Sequence, residues 1–362
     1  MPHFIKMNSR RGKMWEDNVR KVVPYVAGEQ PQRRDIIKLN TNECPYPPAP
    51  EVSKLMENMD SSLFRLYPDQ NATSLVDVLA EYYKVKPEQV FVGVGSDDVL
   101  CLSFLTFFNS GKPILFPNVT YSFYDVWADL YRIPYKTVPL KSDWSLDVDG
   151  FKQENGGIII ANPNAPTGLY APLSVIEEII QANRDVLVIV DEAYIDFGAE
   201  SALPLLEKYD NLLIVQTFSK SRAMAGMRIG FAIGSEAQIK YLRDVKFSFN
   251  SYTMNLPSLV LGTAAVRNDK YFKEITGKII ETREWTKKEL TRLGFSFPDS
   301  MTNFIFAEHE KVPAKDIFGY LRANNIFVRY WDKPLINNHL RITIGTDDQM
   351  KVLISTLEAY LG

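Results

Sequence analysis

From about residue 75 onward, short runs of β-branched and aliphatic residues alternate with longer stretches whose apolar positions recur at helical spacing. Runs with no polar break suit parallel strands covered on both faces, and the periodic stretches between them are long enough to be crossover helices. The pattern predicts strands at 90–93, 113–116, 158–161, 186–191, 212–216 and 229–233, with a crossover helix over 173–183. This is an α/β core.

After Pro257 the texture changes. A long charged helix is predicted over roughly 269–293, then strands near 303–307, 326–329 and 340–344 and a final helix, which together read as a smaller α+β domain. The first forty residues carry scattered Pro and Gly, have no convincing fold of their own, and are expected to pack across the two domains. The expected organisation is an arm over 1–40, a large domain over 41–256 and a small one over 257–362. A chain of 362 residues is longer than one core usually organises.

Composition narrows the chemistry. A net charge of -3 argues against a nucleic-acid partner held by general charge, so any anion site must be local. Cys44 and Cys101 are too few for a disulfide framework or a zinc cluster, and a reducing compartment is the easier reading. His3, His309 and His339 give little material for a histidine-centred triad, and no metal site is expected. No apolar run reaches the ~18 residues of a membrane span. Lys6, Arg10, Arg11 and Lys13 lie in a segment without the long Ser-rich character of a transit peptide, so the expected location is the cytoplasm.

In open α/β sheets ligands sit at the carboxyl ends of strands, and four such ends carry polar chemistry. Gly93-Val94-Gly95-Ser96-Asp97-Asp98 is a Gly-rich turn entering a helix, whose backbone N–H groups can receive a phosphate; it serves equally as a plain turn with Ser96 as cap. Asn162-Pro163-Asn164-Ala165-Pro166-Thr167-Gly168 is a rigid turn on any reading, in which an amide could donate to a ring oxygen. The apolar run 186–190 ends in Asp191-Glu192-Ala193-Tyr194, and a buried carboxylate there needs a cationic partner: a protonated pyridine nitrogen, or magnesium. Magnesium would suit a P-loop ATPase, but G-x-x-x-x-G-K-[ST] is absent from the sequence. The fourth end, from Thr217 to Gly230, holds Lys220 between Ser219 and Ser221, with Arg228 eight residues on. An amine flanked by hydroxyls and small residues suits aldehyde capture beside a phosphate clamp, although a solvated surface lysine has the same local composition. Together the four ends match pyridoxal 5'-phosphate (PLP).

The same residues resemble the fold-type I PLP-dependent aminotransferases, and within them the histidinol-phosphate aminotransferases. The likeness runs through Leu39-Asn40-Thr41-Asn42-Glu43, Leu66-Tyr67-Pro68-Asp69, Gly95-Ser96-Asp97-Asp98, 162–168, 191–194, 219–230 and Leu340-Arg341-Ile342-Thr343-Ile344-Gly345. It implies a large domain with a mixed, mostly parallel sheet flanked by helices plus a smaller α+β domain. It implies that Lys220 holds the cofactor as an imine and later carries the proton, that Asp191 pairs with the pyridine nitrogen, and that Asn162 and Tyr194 donate to the phenolic oxygen. The phosphate would be held by Ser96, Asp97, Ser219 and Arg228, Tyr121 would stack on the ring, and Tyr67 would reach the neighbouring subunit's phosphate in a homodimer. Tyr25, Arg329 and Arg341 match positions that hold substrate anions. The implied reaction moves an amino group between L-histidinol phosphate and 2-oxoglutarate. Other amino-acid aminotransferases, a threonine-phosphate decarboxylase and a PLP-binding regulator without turnover remain alternatives. Cys44 and Ser221-Arg222-Ala223 depart from the family's usual pattern and leave the substrate less secure than the cofactor.

Overall fold

The computed structural model describes residues 15–26, 28–31, 33 and 35–362, so His3 and the basic residues Lys6, Arg10, Arg11 and Lys13 lie outside the described residues. Strand β1 (Ile37–Leu39) belongs to a small sheet. Strands β2 (Val90–Gly93), β3 (Ile114–Pro117), β4 (Tyr135–Val138), β5 (Ile158–Ala161), β6 (Val188–Asp191), β7 (Leu212–Thr217) and β8 (Gly230–Ile233) form a larger one in the order β2-β8-β7-β6-β5-β3-β4. Its ladders are parallel except where β8 meets β2 and β7. Every residue of β5, β6 and β7 is buried, which is why their sequences run apolar without alternation. The crossover helix Leu173–Ala182 turns Ile176, Ile179 and Ile180, one face at i, i+3, i+4, onto that sheet's core.

The small sheet runs β1-β11-β12-β10-β9, with β9 (Phe295–Ser296), β10 (Phe304–His309), β11 (Ile326–Tyr330) and β12 (Leu340–Thr343). The long helix Asp269–Arg292 covers it through Ile279 and Leu290, and the helix Asp347–Leu361 through Leu353 and Leu357. A capping box at Thr346 starts the latter, its hydroxyl accepting from Gln349 N while the Gln349 side chain accepts from Thr346 N.

Three strands lie outside the elements expected from the pattern, the two-residue β9 among them. β4 is an edge strand whose Tyr135, Lys136 and Thr137 are exposed, so it has no apolar run to announce it. β1 is three residues long and pairs in parallel with β11, turning the end of the expected arm into part of the small sheet. Helix Leu256–Arg267 spans the expected boundary near 257 and sends Leu259, Leu261, Ala265 and Val266 into the core beside β2 and β8. Among the described residues no helix is long and apolar enough to cross a membrane.

Candidate active site

β6 ends at Asp191 and β7 at Thr217, while the turn after β2 carries Ser96 and β8 begins just after Arg228. Their ends open into one cleft, lined by Ser96, Asp97, Tyr121, Asp191, Tyr194, Ser219, Lys220 and Arg228. Eight residues expected to hold a cofactor from four separate stretches of chain therefore meet in a single space of about 170 Å³.

Asp191 is almost wholly buried, at 4% exposure. Its Oδ2 accepts a 2.8 Å hydrogen bond from the Tyr124 hydroxyl and its Oδ1 a 3.2 Å bond from Ala193 N. Burial pushes its pKa up to about 6; the Tyr124 bond pulls it back, and the Lys220 charge does so more weakly. No side-chain cation is paired with Asp191 among the described residues. The Lys220 ammonium donates to the Thr41 carbonyl at 3.2 Å and lies 5.7 Å from the centre of the Tyr194 ring. Tyr194 in turn accepts a 2.8 Å bond from Asn42 Nδ2, which leaves its own hydroxyl proton to be donated. Thr343 Oγ1 donates to Asn42 Oδ1 at 3.0 Å, and Asn303 Nδ2 donates to the Asn42 carbonyl at 3.0 Å, so the small domain's strands fix this donor.

At the other end of the cleft the helix Ser96–Phe107 points its N-terminus inward. Gly95 precedes it at φ +84°, a conformation that favours glycine, and a Cβ there would stand 2.5 Å from Arg228 Nη2, so any side chain would displace the guanidinium. Arg228 lies across this turn, with Nη1 3.4 Å from Ser219 Oγ and Nη2 3.6 Å from Asp97 Oδ2. Asp97 also accepts a 2.8 Å bond from Tyr121, which fixes that ring over the cleft. Backbone N–H groups, a hydroxyl and a guanidinium converge as they would on a phosphate. An amine, a buried acid with no paired cation and an anion cradle together fit PLP.

A second hollow joins the first at Lys220 and Tyr194, and Tyr25, Arg329 and Arg341 line it. Tyr25 is stacked on Phe123 at 4.0 Å. Arg329 Nη2 reaches the Val26 carbonyl at 3.5 Å and Arg341 Nη2 the Asn40 carbonyl at 2.9 Å. Tyr67 takes no part in its own chain's cleft: it is 83% exposed and packs on Tyr252 at 4.8 Å.

One expectation is corrected. Asn162 is turned away from the cleft, its Nδ2 donating to the Ala171 carbonyl at 3.0 Å and its Oδ1 accepting from Ala171 N at 2.8 Å. The main chain of Ala171 offers an acceptor and a donor side by side, so the carboxamide closes a two-bond ring with it and lines a separate hollow behind the site. Reading the sequence also missed Tyr124 and Asn42. Tyr124 sits three residues after Tyr121 in an apolar helix, where a buried hydroxyl must find a partner. Asn42 is a non-glycine residue at φ +57° in a polar run just after β1.

Residues 34–357 match the family model for aminotransferase class I and II. The histidinol-phosphate aminotransferase of Lactococcus lactis subsp. cremoris strain MG1363 is 53% identical over 347 residues, covering 96% of this chain and 98% of that protein. That of Clostridium botulinum strain Langeland is 49% identical over 350 residues, covering 97% and 99%. The crystal structure of histidinol-phosphate aminotransferase from Sinorhizobium meliloti in complex with pyridoxal-5'-phosphate superposes with a TM-score of 0.81 at 24% identity, covering 90% of this chain and 92% of that one.

Proposed function

The chain belongs to the aminotransferase class I and II family, and on that premise we propose that it is a PLP-dependent enzyme transferring an amino group between L-histidinol phosphate and 2-oxoglutarate, giving imidazole-acetol phosphate and L-glutamate. The observation that carries this reading is the junction of the two hollows at Lys220: a cofactor-shaped cleft on one side, and on the other two guanidiniums with no carboxylate of their own among the described residues. The same two forks suit the phosphate of one substrate and a carboxylate of the other, which a single site alternating between them requires. The near full-length identity to the lactococcal and clostridial enzymes supports the substrate.

When bound, PLP supplies an aldehyde that condenses with amines and a ring that accepts the electrons released at the substrate's α-carbon. Lys220 is the amine that holds it and, once displaced, the base: its Nζ takes the α-proton of the amino donor and later returns one. Asp191 would pair with the ring nitrogen and keep it protonated, which is what lets the ring accept electrons. Tyr194 donates its hydroxyl proton to the phenolic oxygen, and Tyr121 covers the ring face. Ser96, Asp97 N–H, Ser219 and Arg228 hold the phosphate. Tyr25, Arg329 and Arg341 orient the substrate's anionic end.

The working unit is a homodimer, supported by exposed Leu63, Phe64, Leu66 and Tyr67 on one stretch and exposed Phe249 and Tyr252 nearby, with Tyr67 reaching the partner's phosphate. Sedimentation at the mass of a single 41.3 kDa chain at working concentration would contradict it. Two free cysteines fit a location in the cytoplasm, which fractionation of the native cells checks. The substrate is tested with purified protein and both substrates, following L-glutamate. The reading predicts glutamate formed in proportion to histidinol phosphate consumed. Turnover of an aromatic amino acid without histidinol phosphate activity, or carbon dioxide released from threonine phosphate, would replace it.

A further inference from the structure

Arg329 and Arg341 are direct cross-strand partners on β11 and β12. Like charges so placed repel, and a sheet normally avoids the arrangement or compensates it. Among the described residues the polar partners of both are main-chain carbonyls, and Arg341 Nε is buried with no hydrogen-bond partner. Both do share one aromatic neighbour. The Arg329 guanidinium carbon lies 5.1 Å from the centre of the Trp331 ring and that of Arg341 5.2 Å from it.

Trp331 follows Arg329 by two residues and lines the substrate hollow together with the hollows on either side of it. It is thus the wall between three spaces as well as the common contact of two cations. On the far side of Arg329 the arm closes in, since a Cβ at Gly28 would stand 3.1 Å from Arg329 Nη1. A guanidinium held against an aromatic ring keeps its N–H edge free for a planar anion, and the ring's negative face eases the repulsion between neighbouring cations.

We propose that Trp331 is the positioning residue that sets this enzyme's preference for doubly charged ligands, by bracing Arg329 and Arg341 so that both present their forks to one phosphomonoester or dicarboxylate. The inference rests on the proposed reading in placing substrate anions at these arginines. Monoanions gain from one fork only, so the brace favours dianions over them. Trp331 acts through the arginines and not on the reacting atoms, so affinity should change while the chemical step does not.

The test uses the cofactor-loaded protein and two unreactive anions, succinate and inorganic phosphate, titrated by calorimetry into the wild type, Trp331→Met and Trp331→Phe. Methionine keeps the apolar contacts without a ring face; phenylalanine keeps a smaller face. The expected result is binding of both anions weakened roughly tenfold in the Met variant and no more than about threefold in the Phe variant. KM for both substrates should rise in step, with kcat, the visible spectrum and the melting temperature held. Wild-type succinate affinity in Trp331→Met, equal losses in the two variants, or a fall confined to kcat would overturn the proposal. If the Met variant does not fold, fluorinated tryptophan incorporated throughout the wild type and throughout Trp331→Phe decides. Labelling should weaken succinate binding in the former only, and an equal effect in both would overturn it. The arms also separate this inference from its premise: unchanged succinate binding in a protein that does transaminate histidinol phosphate removes Trp331 alone, whereas weakened succinate binding in one that does not removes the substrate and leaves the brace.

Discussion

In the cofactor-free protein Asp191 is held by two neutral donors and, among the described residues, no paired cation, so its charge is poised rather than fixed. Burial raises its pKa to about 6 and the Tyr124 hydroxyl opposes that rise. Tyr124→Phe removes the donor to the ionised form, so the Asp191 pKa of the cofactor-free protein rises further, and PLP binding that needs the carboxylate is lost at a higher pH. The acid limb of PLP binding to the cofactor-free protein should move up by about one pH unit, from a charge-assisted bond of ~1.5–3 kcal/mol partly replaced by solvent or repacking. An unmoved limb in a folded variant would remove Tyr124 from this role.

Its neighbour Glu192 makes a different case, because it is buried on the side away from the cleft. It accepts from Ser201 Oγ at 2.6 Å, Ala202 N at 2.6 Å and Gln216 Nε2 at 2.8 Å, yet burial still pushes its pKa up to about 7 from 4.5. Between those two values the folded protein binds the proton more tightly than the unfolded chain, so stability falls as pH rises through this window. Glu192→Gln should remove that slope. Relative to the wild type it gains on the order of 3 kcal/mol on going from pH 4 to pH 8, measured by urea unfolding of the cofactor-free protein. A constant difference across that range would show that Glu192 does not titrate there.

At the scale of elements, the site depends on loops fastened to each other. The loop after β7 carries Lys220, and Ser221 donates from it to Asp196 on the segment that follows Asp191 at the end of β6 and carries Tyr194. Next to it Arg222 is buried among Tyr82, Phe218 and Phe272, 4.2 Å from the centre of the last, and donates to the Ala265 carbonyl. Ser221 and Arg222 therefore form a latch built behind the lysine. The turn after β2 is fixed instead by Asp98, whose Oδ2 accepts from Val94 N at 2.9 Å, and by the close approach of β8, where a Cβ at Gly230 would stand 2.2 Å from Gly95 carbon. Gly95→Ala should push Arg228 off the cradle and weaken PLP binding at least tenfold with the fold retained. Retention of wild-type cofactor affinity would mean that the guanidinium takes no part in holding the phosphate.

What the sequence made legible follows the same scale. Strands buried on both faces, such as β5 and β6, wrote themselves as unbroken apolar runs, and residues such as Lys220 and Asp191 stood out as polar chemistry at their ends. β4 left no such mark because its side chains face solvent. Asn162 could not be oriented from sequence, since the choice between the cleft and Ala171 depends on a main-chain pair nine residues away. Tyr124 and Trp331 were hidden because an aromatic residue in an apolar context looks like core until its partners are known.

Across the whole molecule, the site draws on both sheets. The large sheet supplies Asp191, Lys220 and the anion cradle; the small one supplies Arg329 and Arg341, and through Asn303 and Thr343 it fixes the Asn42 that bonds Tyr194. Ahead of β1, Tyr25 is stacked on Phe123, while Arg329 reaches the Val26 carbonyl. On the proposed reading, substrate groups anchored by the small sheet are presented to a cofactor held by the large one, and the amine that joins the two hollows is Lys220. Borohydride reduction of the yellow holoenzyme followed by peptide mass spectrometry tests that placement most directly. The account predicts the cofactor's mass on the peptide containing Lys220, with none retained by Lys220→Ala; the same mass on any other lysine would contradict it.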